Sequence, residues 1–281
     1  MKWLRFEHRG RASFGQLDGE SVVVFEGDMF GDKKPTGEIV PLSGIKWLTP
    51  STPSKLIGLL NNFRAVADKN GWAVPAEPLY FIKAANSYRA HGEAILAPIA
   101  YDGRVVYEGE LAVVIGKTAA AVSPEKAPAH ILGYTCANDV TAADLLNRDP
   151  SFPQWTRAKG FDTFGVFGPV IETDFNPAEG SLVTLVNGRE RQRYPFSDMI
   201  FSPAQLVSLI SHDLTLYPGD VIMCGTSSGV LPLRPGQRVE VTIAGIGVLA
   251  NEYQARATAG PLARPVSEQA ISSWAYLDRC P

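Results

Sequence analysis

Two glutamates separated by one glycine, Glu108 and Glu110, interrupt VVYEGELAVVIG (residues 105–116), a run that is otherwise apolar on both parities. A run of that kind belongs in the interior of a sheet, where a lone charge is expensive to desolvate. In an extended strand the two side chains leave on one face, about 7 Å apart along the chain at roughly 3.3 Å per residue. Asp139 closes a second apolar strand-like run, HILGYTCAND. For any single acidic residue a wet sheet edge is the ordinary reading, because most Asp and Glu are solvated. Convergence of all three would be different, since unit charges about 4 Å apart repel by roughly 4 kcal/mol per pair at an effective dielectric near 20. Protons or a cation must then hold them. All-oxygen ligation without an obvious His or Cys partner favours Mg²⁺ or Mn²⁺, with Ca²⁺ as a third candidate, over zinc.

The chain that must position these groups has 281 residues, 45% hydrophobic and 20% charged, enough for one large domain or a main domain with a small appendage. A net charge of -3 and the lack of a basic, aromatic-interleaved tract argue against nucleic acid and against a basic membrane patch. A small-molecule carboxylate is the expected partner. The opening MKWLRFEHRG has no apolar signal core, and no stretch approaches the roughly 20 apolar residues of a membrane span, so a cytoplasmic protein is expected. Cys136, Cys224 and Cys280 are odd in number and unevenly spaced, which suits reduced thiols better than disulfides or a zinc site.

Short strands with Gly and Asp turns fill the first 50 residues, and a Pro-rich joint, TPSTPSK, follows. The expected division is a small N-terminal β-rich domain over residues 1–53 and a catalytic domain over 54–281. Beyond the joint, Leu79 to Lys83 and Tyr107 to Gly116 read as strands, Asn187-Gly188 as a hairpin turn, and SPAQLVSLISHDL as a helix. Thr141 and Asp144 have the spacing of a capping box opening a short helix. Strands dominate without regular βαβ alternation, so the fold class is mainly β with few helices (α+β). Order is expected throughout except over the last 25 residues.

The motifs YEGELAVVIGK, GYTCANDVTAADL, AKGFDTFGVFGP, VNGRERQ, LTLYPGDVIMCGTSSGV and AGIGVLANE, in this order over roughly residues 55 to 252, resemble the fumarylacetoacetate hydrolase superfamily. The resemblance implies a mixed β-sandwich roll, a homodimer, and a divalent metal held by Glu108, Glu110 and Asp139. It assigns Lys159 as an active-site lysine and Gly225 with Thr226 to the loop that receives the substrate. The exposed backbone N–H groups of that turn offer a cradle for a carboxylate. The implied chemistry is conversion of a 2-oxo or β-dicarbonyl acid through a metal-stabilised enolate. C–C bond hydrolysis or decarboxylation leads, with keto-enol tautomerisation, double-bond isomerisation or a lapsed metal-binding homologue as alternatives.

Hydrolases of the superfamily resemble one another in Asn-Tyr-x-x-His-x-x-Glu, whose His-Glu pair activates water. Here Asn62 and Phe63 match the first two positions and are candidate substrate contacts, but the His position is Val66 and the Glu position is Lys69. General-base activation typically contributes about 10² to 10⁴ in rate, so the loss shifts weight towards decarboxylation or tautomerisation. The family arginine after the Asn-Asp pair is Ala143, and a glutamine often found three positions later is Leu146. His91, in NSYRAHGEAI, is the best candidate for a replacement base, although a loop histidine on the surface is the commoner case.

Overall fold

Residues 1–256 are described in the computed structural model, so Cys280 and the expectation for the last 25 residues lie outside the described residues. Alternation of apolar and polar side chains builds the strands of the first 47 residues: β1 (Lys2–His8), β2 (Arg11–Asp18), β3 (Ser21–Gly27), β4 (Lys33–Pro41) and β5 (Lys46–Trp47). Next come β6 (Leu56–Leu60), helix α1 (Arg64–Asn70), β7 (Leu79–Lys83), β8 (Tyr88–Arg89), β9 (Ile95–Leu96), β10 (Val105–Val106) and β11 (Gly109–Ile115). Then follow β12 (Ile131–Asp139), β13 (Thr141–Ala142), helices α2 (Ala143–Leu146) and α3 (Trp155–Lys159), and β14 (Gly165–Glu172). The described chain closes with β15 (Ser181–Val186), β16 (Arg189–Pro195), helix α4 (Pro203–Asp213), β17 (Val221–Met223), β18 (Gln237–Ile243) and β19 (Gly247–Gln254). The fold is mainly β with few helices, as the sequence predicts.

One large sheet runs β4-β3-β2-β1-β14-β12-β11-β17-β6-β7, with β5 on β1 and β8 on β14, and a second runs β16-β15-β18-β19-β9. The N-terminal strands extend the large sheet, because β1 pairs with β14 through Lys2 opposite Glu172 and Trp3 opposite Ile171. Leu111, Val113 and Ile115 of β11 join the larger core with Leu182, Val186 and Val241 of the second sheet. Ala112 and Val114, on the other parity, pack with Trp3, Phe167 and Met223 in a second cluster. β11 is therefore covered on both faces, and every residue of it is buried.

The hairpin turn falls where expected, with Asn187 and Gly188 both at positive φ (49° and 72°), the geometry that Asn-Gly supplies at little steric cost. SPAQLVSLISHDL forms α4 behind a capping box of Ser202 and Gln205. The expected box at Thr141 and Asp144 is not formed. α2 begins without a side-chain cap, Thr141 lies in β13, and Asp144 accepts bonds from the Arg104 backbone and guanidinium. The Thr141 hydroxyl instead donates to Glu108 Oε1 (3.0 Å), an attraction outside the reach of a local capping pattern.

Candidate active site

Glu108 precedes β11, Glu110 lies in it, and Asp139 ends the neighbouring strand β12, where Gly109 pairs with Asn138 and Glu110 with Ala137. Antiparallel pairing thus brings the carboxylates together from two strands, with one oxygen of each within 4.8 Å of the others. Glu110 and Asp139 are fully buried.

The glycine between the glutamates answers to the second sheet. A Cβ on Gly109 would stand 2.2 Å from Thr184 Oγ1, so nothing larger than hydrogen fits between β11 and β15. Gly109→Ala is expected to cost about 1–3 kcal/mol through overpacking, read as a lower denaturation midpoint.

Two lysines answer the carboxylates. Lys159, at the end of α3, donates to Glu108 Oε2 (2.7 Å) and Asp139 Oδ2 (2.5 Å) and lies 4.8 Å from the Phe81 ring centroid. Lys83, the last residue of β7, was not foreseen. Its buried ammonium donates to Asp139 Oδ1 and to the Val140 carbonyl (3.1 Å). Burial would raise Asp139, but Lys159 and Lys83 outweigh it and hold this carboxyl below its usual range. Burial, then Asp139 and Glu108, push Glu110 well above its ordinary value. Burial also raises Glu108 against the pull of Lys159. Counted with every group ionised, two ammonium groups against three carboxylates leave one negative charge.

The donor set fits a divalent cation on a specific observation. Glu110 Oε2 accepts from Gly225 N–H (2.7 Å), while the buried Glu110 Oε1 has no partner among the described residues. An orphaned buried carboxylate oxygen is costly, and a cation among three convergent carboxylates satisfies it. With a divalent ion the cluster turns from one negative to one positive charge, complementary to an anionic ligand.

A cavity of about 280 Å³ opens onto these groups. Glu108, Thr141 and Lys159 contribute its polar side. Val66, Lys69 and Asn70 of α1 form one wall, Phe81, Trp155 and Leu146 another, and residues 226–230 a third. Trp155 stacks on Phe81 with centroids 5.1 Å apart. Among the described residues no histidine lines it, and none of its lining comes from residues 1–53.

The remaining candidates divide. Thr226 lines the cavity, donates to the Gly109 carbonyl (2.9 Å) and accepts from Gln192 Nε2 (2.9 Å). Gly225, at φ 89°, spends its N–H on Glu110 and has none left to cradle a substrate carboxylate. Asn62 is buried and donates to the Cys224 and Phe201 carbonyls, while Phe63 packs edge-on against Tyr194. Neither lines the cavity; they hold the chain beneath it. His91 stands apart: its Nδ1 accepts from Ala250 N–H (3.2 Å) and its ring packs against Trp47. His91, Asn62 and Phe63, expected as a replacement base and as substrate contacts, do not line this cavity.

Carboxylates from paired strands, a lysine from a short helix and a cavity walled by α1, the β6–β7 strands and the loop at residues 226–230 define a β-rich protein with an acidic cluster fit for a divalent ion. Residues 55–254 match Fumarylacetoacetate (FAA) hydrolase C-terminal and residues 1–50 match Rv2993c-like, N-terminal; the chain belongs to the fumarylacetoacetate hydrolase family. It is 43% identical over 249 residues to an uncharacterized protein of Archaeoglobus fulgidus, covering 88% of this chain and 94% of that one. It is 37% identical over 238 residues to the oxaloacetate tautomerase YisK of Bacillus subtilis, covering 78% of each. A crystal structure of 2-hydroxyhepta-2,4-diene-1,7-dioate isomerase from Mycobacterium marinum superposes with a TM-score of 0.84 at 36% identity, over 92% of this chain and all of that one.

Proposed function

We propose that this protein is a divalent-metal-dependent enzyme that interconverts tautomers or double-bond isomers of a 2-oxo acid through its enolate. Glu108, Glu110 and Asp139 would hold Mg²⁺ or Mn²⁺. Bound there, the cation supplies the Lewis acidity that polarises a 2-oxo carboxylate and stabilises developing enolate charge. The observation that carries the reading is the cavity itself, with Glu108 and Lys159 on its polar side and Val66 and Lys69 on the α1 wall, the two positions that the sequence resemblance aligns with the hydrolases' His-Glu pair.

Lys159 is the proton carrier. Its ammonium borders the cavity beside Glu108, to whose Oε2 it donates (2.7 Å). It gives a proton to the enolate carbon, and the proton that the enol oxygen releases restores the ammonium; the reverse direction runs the same exchange backwards. Lys83, held between Asp139 and Val140 O, stays out of the cavity and keeps Asp139 ionised. The aromatic and aliphatic walls from Phe81, Trp155 and Leu146 exclude water from the enolate. Water activation has no base on the α1 wall, so hydrolysis drops behind tautomerisation and isomerisation. Decarboxylation of a β-keto acid passes through the same enolate and is the second reading.

Turnover of oxaloacetate enol, acylpyruvates and a 2-hydroxydienoate, with Mg²⁺ or Mn²⁺ added and then chelated, tests this. Metal-dependent tautomerisation or isomerisation is expected, with acylpyruvate hydrolysis weak. Val66→His with Lys69→Glu should then raise hydrolysis by up to about 10²-fold, the lower end of general-base contributions. Metal binding without turnover of any of these would instead favour a lapsed homologue. We also propose a homodimer, which light scattering on the purified protein would check.

A further inference from the structure

We propose that Gln192 is a positioning residue that locks the metal-site strand to the substrate loop, acting through the Gly109 peptide; the inference rests on the metal reading given above. Gln192 lies on β16, in the sheet opposite the carboxylates, is 1% exposed, and uses both ends of its amide. Its Oε1 accepts from Gly109 N–H (3.1 Å) and from Thr184 Oγ1 (2.9 Å). Its Nε2 donates to Thr226 Oγ1 (2.9 Å) and to the Ser227 carbonyl (3.1 Å). Thr226 Oγ1 in turn donates to the Gly109 carbonyl (2.9 Å), which also accepts from the buried Tyr194 hydroxyl.

These bonds close a ring. It runs from Gly109 N–H to Gln192 Oε1, from Gln192 Nε2 to Thr226 Oγ1, and from the Thr226 hydroxyl back to the Gly109 carbonyl. The backbone enclosed by that ring is the single residue between Glu108 and Glu110, so its orientation sets the direction in which both carboxylates leave the strand. The other side of the ring is the loop at residues 226–230 that lines the cavity. Only an amide of this length both accepts from Gly109 and donates to Thr226; a carboxylate lacks the donor, and a thioether lacks the donor and accepts only weakly. Partners one bond removed from metal ligands fix ligand orientation and typically affect affinity by about 10–100-fold.

Gln192→Met keeps the side-chain volume and cuts the ring. Mn²⁺ affinity, read by electron paramagnetic resonance without substrate, should weaken by about tenfold. Affinity for oxalate in the presence of saturating Mn²⁺ should fall with it. Should Gln192→Met fail to fold, Thr226→Val replaces it: Thr226 is not a metal ligand, so a loss of Mn²⁺ affinity there must travel through Gly109, while Thr226→Ser restores it. Unchanged Mn²⁺ affinity in the folded variant overturns the proposal and leaves Gln192 as core filling. Wild-type protein that binds Mn²⁺ without turnover overturns the proposed activity alone, and wild-type protein that binds no Mn²⁺ overturns both.

Discussion

Glu110→Gln is expected to abolish stabilisation of the protein by Mg²⁺ or Mn²⁺ while leaving the metal-free fold at least as stable as the wild type. In the metal-free protein Glu110 stands fully buried beside Asp139 and Glu108, and one of its oxygens has no partner among the described residues. Removing that charge relieves repulsion, and an amide in its place can donate to a neighbouring carboxylate. The same change removes one of the three proposed ligands, so metal affinity should fall by more than the roughly 10–100-fold typical of partners one shell further out. Wild-type protein at a metal concentration about 100 times its Kd should gain roughly 2.7 kcal/mol, and the variant nothing. Thermal denaturation with and without chelator measures both arms.

Lys83→Met is expected to have the largest effect on the metal-free fold. Lys83 and Asp139 are both buried without exposure, and removing one member of such a pair typically costs about 3–5 kcal/mol because the other charge is left uncompensated. Lys159 still reaches Asp139, which places the loss near the lower end. A fall in Tm of roughly 6–12 °C follows, at about 2–4 °C per kcal/mol for a chain of this size. Added Mg²⁺ should recover part of it, since the cation supplies the positive charge that Lys83 no longer brings. A variant that melts with the wild type in chelator would show that Lys159 alone suffices.

The glutamates and Asp139 were legible because each breaks an apolar run, and a charge in a dry strand needs a partner wherever the strand lies. Lys83 gave no such signal. A lysine at the end of LYFIK looks like a polar strand terminus, and its partner is 56 positions away. Without it, Lys159 is the one ammonium set against the three carboxylates. Gln192 was hidden similarly: in RERQRYP it sits among charged residues, yet its alternation with Tyr194 marks the face turned inward. Thr141 was misread because a capping pattern is local, whereas its hydroxyl answers a carboxylate on another strand. His91 was chosen by residue type and loop context, and neither fixes where a loop packs.

The most direct measurement is hydrogen exchange at C3 of oxaloacetate in D₂O, followed by NMR with Mg²⁺ present, because it reports enolate formation whatever product follows. Stereospecific, metal-dependent exchange by the wild-type protein is expected, lost in Glu110→Gln and in Lys159→Met. Exchange no faster than in buffer, together with metal-dependent hydrolysis of an acylpyruvate, would contradict it.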